Sequence, residues 1–120
     1  MPAPTVGRIT SRAAFAEVQR SRARGASGPV RAVFVPADDS TPGVFPQVGY
    51  AIGRRCGPAV VRNRLRRRAR AVVREEASSL PRGAFMVRLD PGAASQTAAE
   101  FRHDLARALH RAAGKVAAHA

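Results

Sequence analysis

The sequence contains few acidic residues, few aromatic residues and a single cysteine, and each shortage narrows what the chain can be. Its 120 residues include 21 Lys or Arg but only 8 Asp or Glu, which gives a formal net charge of +13. No acidic residue occurs between Asp39 and Glu75. A chain this basic is suited to a polyanionic partner, with nucleic acid as the first expectation and an anionic membrane surface as the second.

The other shortages exclude several classes of protein. The single cysteine, Cys56, excludes an intramolecular disulfide and suits a cytoplasmic protein. No run approaches the roughly 18 apolar residues of a transmembrane helix, and the first residues lack the apolar segment of a signal peptide. Aromatic residues make up only 5% of the chain, so the core is expected to rely on Val, Leu, Ile and Ala. The length predicts one domain, residues 1–120.

No set of residues has the pattern of a catalytic or metal site. Cys56 has no His–acid pair beside it in the sequence, and His103 and His110 lack the cysteine or acidic partners of a zinc site. Asp38 and Asp39 lie in a turn-rich segment, where such pairs usually serve loop structure. We therefore predict no catalytic residue and no metal bound by the protein itself.

The most informative stretch is Gly53 to Arg74, in which nine of 22 residues are arginine and none is acidic. Apolar residues recur there at helical spacing: Val61, Leu65, Ala69 and Val72. A second column follows a strict i+4 spacing: Arg62, Arg66, Arg70 and Arg74. The spacing predicts a helix from about residue 58 to 78 with one core face and one cationic face. Like charges at i+4 cost about 0.2–0.5 kcal/mol per pair, and an anionic partner would offset that cost.

The remaining elements are separated by turn signals. Thr10 or Ser11 can cap a first helix at 11–21, and Thr97 with Glu100 forms a capping box for a last helix that ends near residue 113. Alternating apolar residues predict three strands at Val30–Val35, Gln47–Gly53 and Ala84–Leu89.

The connecting segments and the order of elements define the fold class. Residues 1–9 are predicted as a flexible basic arm, 22–29 as a loop and 114–120 as a frayed tail. The order α-β-β-α-β-α predicts an α+β fold, a single-domain α/β sandwich in which helices pack against a small mixed sheet. If the second and third strands are parallel, the arginine-rich helix is the crossover of a βαβ unit.

Aromatic side chains near a cationic helix could stack on single-stranded bases. The candidates are Phe15, Phe34 and Tyr50, and for each of them packing in the core is the alternative. Small residues at Ala51 and Gly53, on the opposite face of the second strand from Tyr50, would admit either a packed helix or a ligand backbone.

Taken together, these residues resemble a known family. Residues 49–55, Gly57, residues 59–67 and Arg70 resemble the signature of the bacterial ribonuclease P protein subunit, and Arg62-Asn63-Arg64 matches its hallmark. The resemblance covers most of the chain, since the first helix, the early strand and the last strand also fit.

The resemblance implies a fold and a role. The fold is the family's α/β sandwich with a left-handed βαβ crossover. The role is to assist the endonucleolytic removal of the 5′ leader from precursor tRNA by an RNA-based enzyme, whose catalytic centre lies in the RNA subunit with Mg²⁺. The implied partners are ribonuclease P RNA and precursor tRNA, with no membrane and no required protein partner, in the cytoplasm.

The resemblance also implies which residues bind each RNA. The residues implied to dock on the catalytic RNA are Arg54, Arg55, Arg62, Asn63, Arg64, Arg66, Arg67 and Arg70. The residues implied to line a cleft for the single-stranded leader are Phe15, Phe34, Ala51 and Gly53. Gln19 stands where many relatives have an aromatic residue.

Two other classes of function are compatible with the composition. One is a structural RNA- or DNA-binding protein, such as a ribosomal or chromatin-associated factor. The other is a protein of the membrane surface, which is disfavoured because the cationic helix lacks a large apolar face with Trp or Phe for insertion.

Overall fold

Three helices pack against a four-stranded mixed sheet in the computed structural model, which describes residues 6–9 and 12–118. The helices within these ranges are α1 (Arg12–Arg20), α2 (Ala59–Glu76) and α3 (Ala98–Ala118). The strands are β1 (Arg24–Ser27), β2 (Val30–Pro36), β3 (Gln47–Ile52) and β4 (Gly83–Leu89). Short 3₁₀ turns occur at Arg54–Cys56, Ala77–Ser79 and Pro91–Ser95. The predicted caps Thr10 and Ser11 lie outside the described residues.

The strands are arranged in the order β1-β2-β4-β3. β2 runs antiparallel to both β1 and β4, whereas β3 and β4 are parallel. Because α2 connects β3 to β4, these three elements form the expected βαβ unit. The predicted α+β class is confirmed, and so is the order α-β-β-α-β-α apart from one added strand, β1. The left-handed crossover stays a prediction from the resemblance.

One strand was not predicted. The segment 22–29, expected to be a loop, contains β1, which pairs with β2 from Arg24 opposite Val33 to Ser27 opposite Val30. Glycine at position 25 allows this placement, because a Cβ there would lie 2.6 Å from the backbone nitrogen of Ala112 in α3. The strand therefore depends on tertiary contacts rather than on a local apolar pattern.

The two faces of the sheet are covered unequally. On one face, Phe34 and its neighbours Val30 and Ala32 pack with Phe101 and Leu105 of α3 in the main core, which α2 also joins. On the other face lies α1, of which only Val18 is buried. A second, smaller cluster forms there around Ile9, Val18 and Ala84. This face is left partly open, and that opening becomes a cleft.

Helix α2 has the two faces that its sequence predicts. Leu65 and Ala69 are fully buried, and Val72 retains 5% exposure. Pro58, expected at the first helical position, is instead the residue that precedes the helix. The turn before it is anchored by Cys56, whose thiol donates to the Leu89 carbonyl oxygen at 3.3 Å. This cysteine is therefore a packing residue of the strand–helix corner.

The predicted flexible arm is fixed in the part that the structure describes. The Gly7 amide donates to the Pro46 carbonyl at 2.9 Å, and the Val48 amide donates to the Gly7 carbonyl at 3.1 Å. Ile9 retains only 7% exposure. The expectation of a flexible arm is therefore wrong for residues 6–9, because one buried apolar side chain and a backbone bridge hold them along β3. Residues 1–5 lie outside the described ranges.

Helix α3 is longer than expected. The predicted capping box is confirmed, since the Thr97 amide donates to Glu100 Oε1 at 2.8 Å and the Glu100 amide donates to Thr97 Oγ1 at 3.1 Å. The helix continues to Ala118 instead of ending near residue 113, and Gly114 does not adopt a positive φ. Neither α3 nor any other helix in the described ranges is long and apolar enough to cross a membrane.

Asp104 of α3 holds the β1–β2 turn against that helix. Its two carboxylate oxygens accept hydrogen bonds of 2.6 Å from the Ser27 hydroxyl and from the Gln96 amide. The Ser27 hydrogen bond is the main cause that lowers the pKa of Asp104 below its ordinary value. A carboxylate with a lowered pKa stabilises the fold at higher pH, and that contribution is lost as pH falls.

We expect Asp104→Asn to flatten the acid side of the stability profile. The free energy of unfolding of the natural chain should fall below about pH 4, and the variant should lose less over the same range. Urea denaturation at successive pH values measures both profiles. Asp39→Asn, at an exposed carboxylate, serves as the control and should follow the natural chain. Equal slopes for all three proteins would contradict this role of Asp104.

Candidate nucleic-acid interface

The arginines of α2 form no ion pair within the part of the chain that the structure describes. The ion pairs found there are Arg31–Asp90, Arg102–Glu75 and His110–Glu76. No acidic side chain of the described residues therefore compensates the cationic face of α2.

The residues implied to dock on RNA lie along this face and at its start. Asn63, Arg64, Arg67 and Arg70 are exposed, and Arg62 and Arg66 are half-buried. Arg54 and Arg55 are exposed in the 3₁₀ turn just before the helix.

Two of these side chains have notable surroundings. Arg66 Nη1 donates to Asn63 Oδ1 at 3.1 Å, which fixes the asparagine amide beside the arginine column. The Nε of Arg62 is buried and has no hydrogen-bond partner among the described residues. The column is thus partly ordered by its own contacts.

The two glutamates at the end of α2 form ion pairs with side chains of α3. Glu75 Oε2 lies 3.2 Å from Arg102 Nε, and Glu76 Oε2 lies 3.0 Å from His110 Nε2. These contacts explain why two acids follow the arginine-rich helix although they oppose its dipole. They join α2 to α3 and leave the arginine face without negative charge.

A cleft of about 740 Å³ runs between α1 and the open face of the sheet. Its apolar lining comes from α1 and from three strands, at Phe15, Val18, Val33, Ala51 and Met86. Phe15 is 40% exposed, which is unusual for a large apolar side chain and leaves its ring available to a ligand. The cleft is the place where the resemblance implies a leader site.

Of the four residues implied to line this cleft, two do so. Phe15 and Ala51 lie in its lining, whereas Phe34 and Gly53 do not. Phe34 is 1% exposed on the opposite face of the sheet, with its ring centroid 4.5 Å from that of Phe85. The prediction for Phe34 is wrong because its burial in the main core outweighs any use as a stacking surface. Gly53 follows the end of β3 and lies exposed beyond the cleft.

Four residues that line the cleft, where Phe34 was expected, were not predicted from the sequence. Val33 and Met86 are cross-strand partners, and so are Arg31 and Arg88 two positions along. All four line the cleft. The period-2 alternation of strands contained the signal, because side chains next to the buried Phe34 must point to the opposite face.

One end of the cleft carries guanidinium groups. Arg31 Nε lies 3.1 Å from Asp90 Oδ2, and Arg88 is exposed beside this pair. Arg24 donates to the backbone carbonyls of Ser21 and Gln19 at 3.1 and 3.2 Å, which joins the end of α1 to β1. The cleft therefore combines an apolar floor with a cationic end.

Tyr50 lies at the edge between this cleft and the arginines of α2. Burial raises its pKa to about 12, although Arg70 and Arg74 lower it in part. The raised pKa favours the neutral hydroxyl in the fold, so its contribution to stability is complete below about pH 10 and is lost between pH 10 and 12.

The titration of Tyr50 is directly measurable, because it is the only tyrosine and the chain has no tryptophan. We expect tyrosinate absorbance to appear with a midpoint near pH 12. Arg70→Gln should raise that midpoint further, since it removes a positive charge that favours the tyrosinate. A midpoint near pH 10 in the folded natural chain would contradict the placement of Tyr50.

The ligands of a metal site do not come together in the described residues. No three His, Cys, Asp or Glu side chains there form a metal-binding group. Asp90 is the one carboxylate of the cleft lining, and Arg31 already occupies it. The lining of the cleft is cationic and does not fit Mg²⁺.

Comparison with known proteins decides the family. The family model described as Ribonuclease P matches residues 4–113. The chain belongs to the ribonuclease P protein family. Among its relatives, the ribonuclease P protein component of Streptomyces griseus is 36% identical over 118 residues, covering 92% of this chain and 95% of that protein. That of Acidothermus cellulolyticus is 37% identical over 110 residues, covering 90% and 89%.

Structures of ribonuclease P proteins support the same fold. The ribonuclease P protein of Staphylococcus aureus matches with a TM-score of 0.70 at 20% identity, covering 88% of this chain and 87% of that one. A mutant of the Staphylococcus aureus protein with defective mRNA degradation activity also matches with a TM-score of 0.70, at 18% identity. At these identities the likeness concerns the fold alone.

Proposed function

We propose that this ribonuclease P protein is the protein subunit of the RNA-based endoribonuclease that removes the 5′ leader of precursor tRNA. The cationic face of α2 binds the catalytic RNA, and the cleft beside α1 holds the single-stranded leader. The observation that carries the proposal is the arginine column of α2, which has no acidic partner in the described residues of a family member.

Docking on RNA follows from the chemistry of guanidinium groups. Each presents a planar fork of donors that fits a phosphate and stays charged at any physiological pH. Residues four apart on a helix advance about 6 Å along its axis, so Arg62, Arg66 and Arg70 present donors at regular steps. Asn63, held by Arg66, adds an amide that can donate to a sugar or a base.

The leader fits the cleft because its bases are unpaired. An exposed aromatic ring such as that of Phe15 stacks on any base, and the apolar floor of Val33 and Met86 can cover the base that follows. The guanidinium groups of Arg31 and Arg88 then face the backbone phosphates. A cleft of this kind binds a single strand with little preference for sequence.

This chain supplies binding and no reacting group. The ionisable side chains of the cleft are arginines, the neutral Tyr50 and the Asp90 carboxylate that Arg31 holds. Mg²⁺ held by the RNA subunit would supply an activated water for hydrolysis of the phosphodiester. The protein then acts by positioning the substrate against that centre.

The experiment measures whether the protein confers leader recognition. A bacterial ribonuclease P RNA is reconstituted with and without this chain, and its affinity is measured for precursor tRNA and for mature tRNA. We expect the protein to tighten binding of the precursor selectively. If both tRNAs gain equally, the chain acts as a structural RNA-binding protein and the proposed role is wrong.

Phe15→Ala tests the cleft in the same assay. We expect the reconstituted complex to lose affinity for precursor tRNA by roughly 1–3 kcal/mol, the usual contribution of one base stacked on an aromatic ring. Affinity for mature tRNA should be unchanged. Val44→Ala, at an exposed apolar residue outside the cleft lining, is the matched control and should change neither. An equal loss for both tRNAs would place Phe15 outside the leader site.

A further inference from the structure

A second pocket lies beside the leader cleft, between α2, β3 and the fixed residues of the N-terminal segment, and Tyr50 lines both. Its volume is about 530 Å³. Four arginines line it: Arg8, Arg66, Arg70 and Arg74. Arg8 and Arg74 belong neither to the motif that carries the family resemblance nor to the residues implied to bind RNA.

The charge of this pocket is of one sign. No acidic residue lines it, and none of its four arginines takes part in an ion pair of the described chain. Four guanidinium groups around one cavity repel each other, and a bound anion relieves that repulsion. A single phosphodiester carries one negative charge, so the site calls for more than one phosphate.

Tyr50 adds a neutral donor to the same pocket. It lies close enough to Arg70 and Arg74 for their charges to act on its hydroxyl. That hydroxyl makes no hydrogen bond within the residues that the structure describes. A neutral hydroxyl beside guanidinium groups can donate to a phosphate oxygen, which accepts from both kinds of donor.

The backbone that presents Arg8 is fixed before any ligand binds. Gly7 is held on both sides by hydrogen bonds to Pro46 and Val48. A Cβ at Gly7 would clash with the Val44 carbonyl oxygen, so glycine is needed for this close approach. Ile9, the next residue, is buried. The pocket is therefore closed on one side by a positioned segment rather than by a free arm.

We propose that this pocket binds two neighbouring phosphate groups of an RNA backbone, through Arg8, Arg66, Arg70 and Arg74 with the Tyr50 hydroxyl as a further donor. The inference rests on the proposed function and deepens it, because it extends the RNA-binding surface of α2 across β3 to the N-terminal segment. The RNA subunit would then contact Arg8, Arg74 and Tyr50.

Tyr50 makes the test direct, since the only tyrosine of a tryptophan-free chain lies in the pocket. The folded protein is titrated with tripolyphosphate at constant ionic strength while tyrosine fluorescence is recorded. We expect a saturable change. Arg8→Gln and Arg74→Gln should each weaken the apparent affinity several-fold, because each removes one charged donor to the phosphates. Melting curves check that each variant is folded.

Arg107→Gln is the matched control, because it removes one positive charge from α3, away from the pocket lining. It should leave the titration unchanged. The proposal is overturned if the natural chain gives no saturable change, or if Arg107→Gln weakens binding as much as Arg74→Gln does.

A second arm separates RNA from a free phosphate compound. Binding of ribonuclease P RNA is measured over a range of salt concentrations, and Arg8→Gln and Arg74→Gln should each lower the log–log slope by about 0.7–0.9. If tripolyphosphate binds but both slopes are unchanged, the pocket serves a free polyphosphate and the RNA assignment is wrong. Selective binding of precursor tRNA by the natural complex is measured separately. If that selectivity is present but the pocket variants bind RNA like the natural chain, only the pocket proposal is wrong.

Discussion

The triple variant Arg62→Gln, Arg66→Gln and Arg70→Gln should bind ribonuclease P RNA about 100- to 500-fold more weakly than the natural chain near 0.1 M salt. The same variant should lower the log–log slope of affinity against salt by about two to three, because each arginine that meets a phosphate releases a counterion. Filter binding or fluorescence anisotropy over a range of salt concentrations measures both quantities. The stability of the variant should not fall, since the change removes like-charge repulsion along α2.

The control for this variant removes the same charge from another helix. Arg107, Arg111 and Lys115 are exposed on α3, and their replacement by glutamine leaves the net charge equal to that of the α2 variant. We expect this second triple variant to bind RNA nearly as well as the natural chain. If both triple variants weaken binding equally, total charge governs the affinity and α2 is not a specific docking face.

Phe34→Ala should reduce the free energy of unfolding by about 3–5 kcal/mol, the usual cost of deleting a buried phenylalanine ring. Phe34 is 1% exposed and packs on Phe85 in the main core, so its removal leaves a cavity under the sheet. A domain is typically stable by only 5–15 kcal/mol, which makes this a large effect. Urea denaturation measures it.

The same variant separates a core residue from a leader contact. Phe34→Ala should weaken binding of precursor and mature tRNA equally, in proportion to the fraction of unfolded protein. Val33→Ala changes the neighbouring residue on the cleft face. It should weaken binding of precursor tRNA but not of mature tRNA, with a smaller loss of stability. A selective precursor loss in Phe34→Ala, without destabilisation, would contradict the burial of this ring.

The elements with strong local patterns were predictable from sequence. In α2, Leu65, Ala69 and Val72 recur at the helical period, and the arginines occupy the other faces. A single helix therefore accounts for both sets of residues. The capping box of Thr97 and Glu100 is likewise a local arrangement that short-range hydrogen bonds decide. These features depend on residues within one or two turns of each other.

The elements that depend on distant contacts were not predictable. β1 has a loop-like composition, and it becomes a strand because β2 offers an edge and Gly25 admits α3. Residues 6–9 are held by the backbone of Pro46 and Val48, which the sequence cannot place beside them. Gly114 resembles a helix stop, although the residues after it continue α3.

The candidate site shows the same division. The cationic face could be read from sequence because it lies on one helix. The cleft could be read only in part, because its lining comes from α1 and three strands whose register sets which side chains meet. In β2, Phe34 was predicted to line the cleft because it is aromatic. Strand alternation instead places the neighbouring Val33 in the cleft.

The cleavage rate of precursor tRNA at low Mg²⁺ tests the central claim most directly. A bacterial ribonuclease P RNA is assayed alone, with the natural chain, and with the α2 triple variant, under single-turnover conditions. We predict that the natural chain raises the rate of correct 5′ leader removal and that the triple variant does so only at much higher protein concentration. A rate with the natural chain no greater than that of the RNA alone would contradict the assignment of this protein as the ribonuclease P subunit.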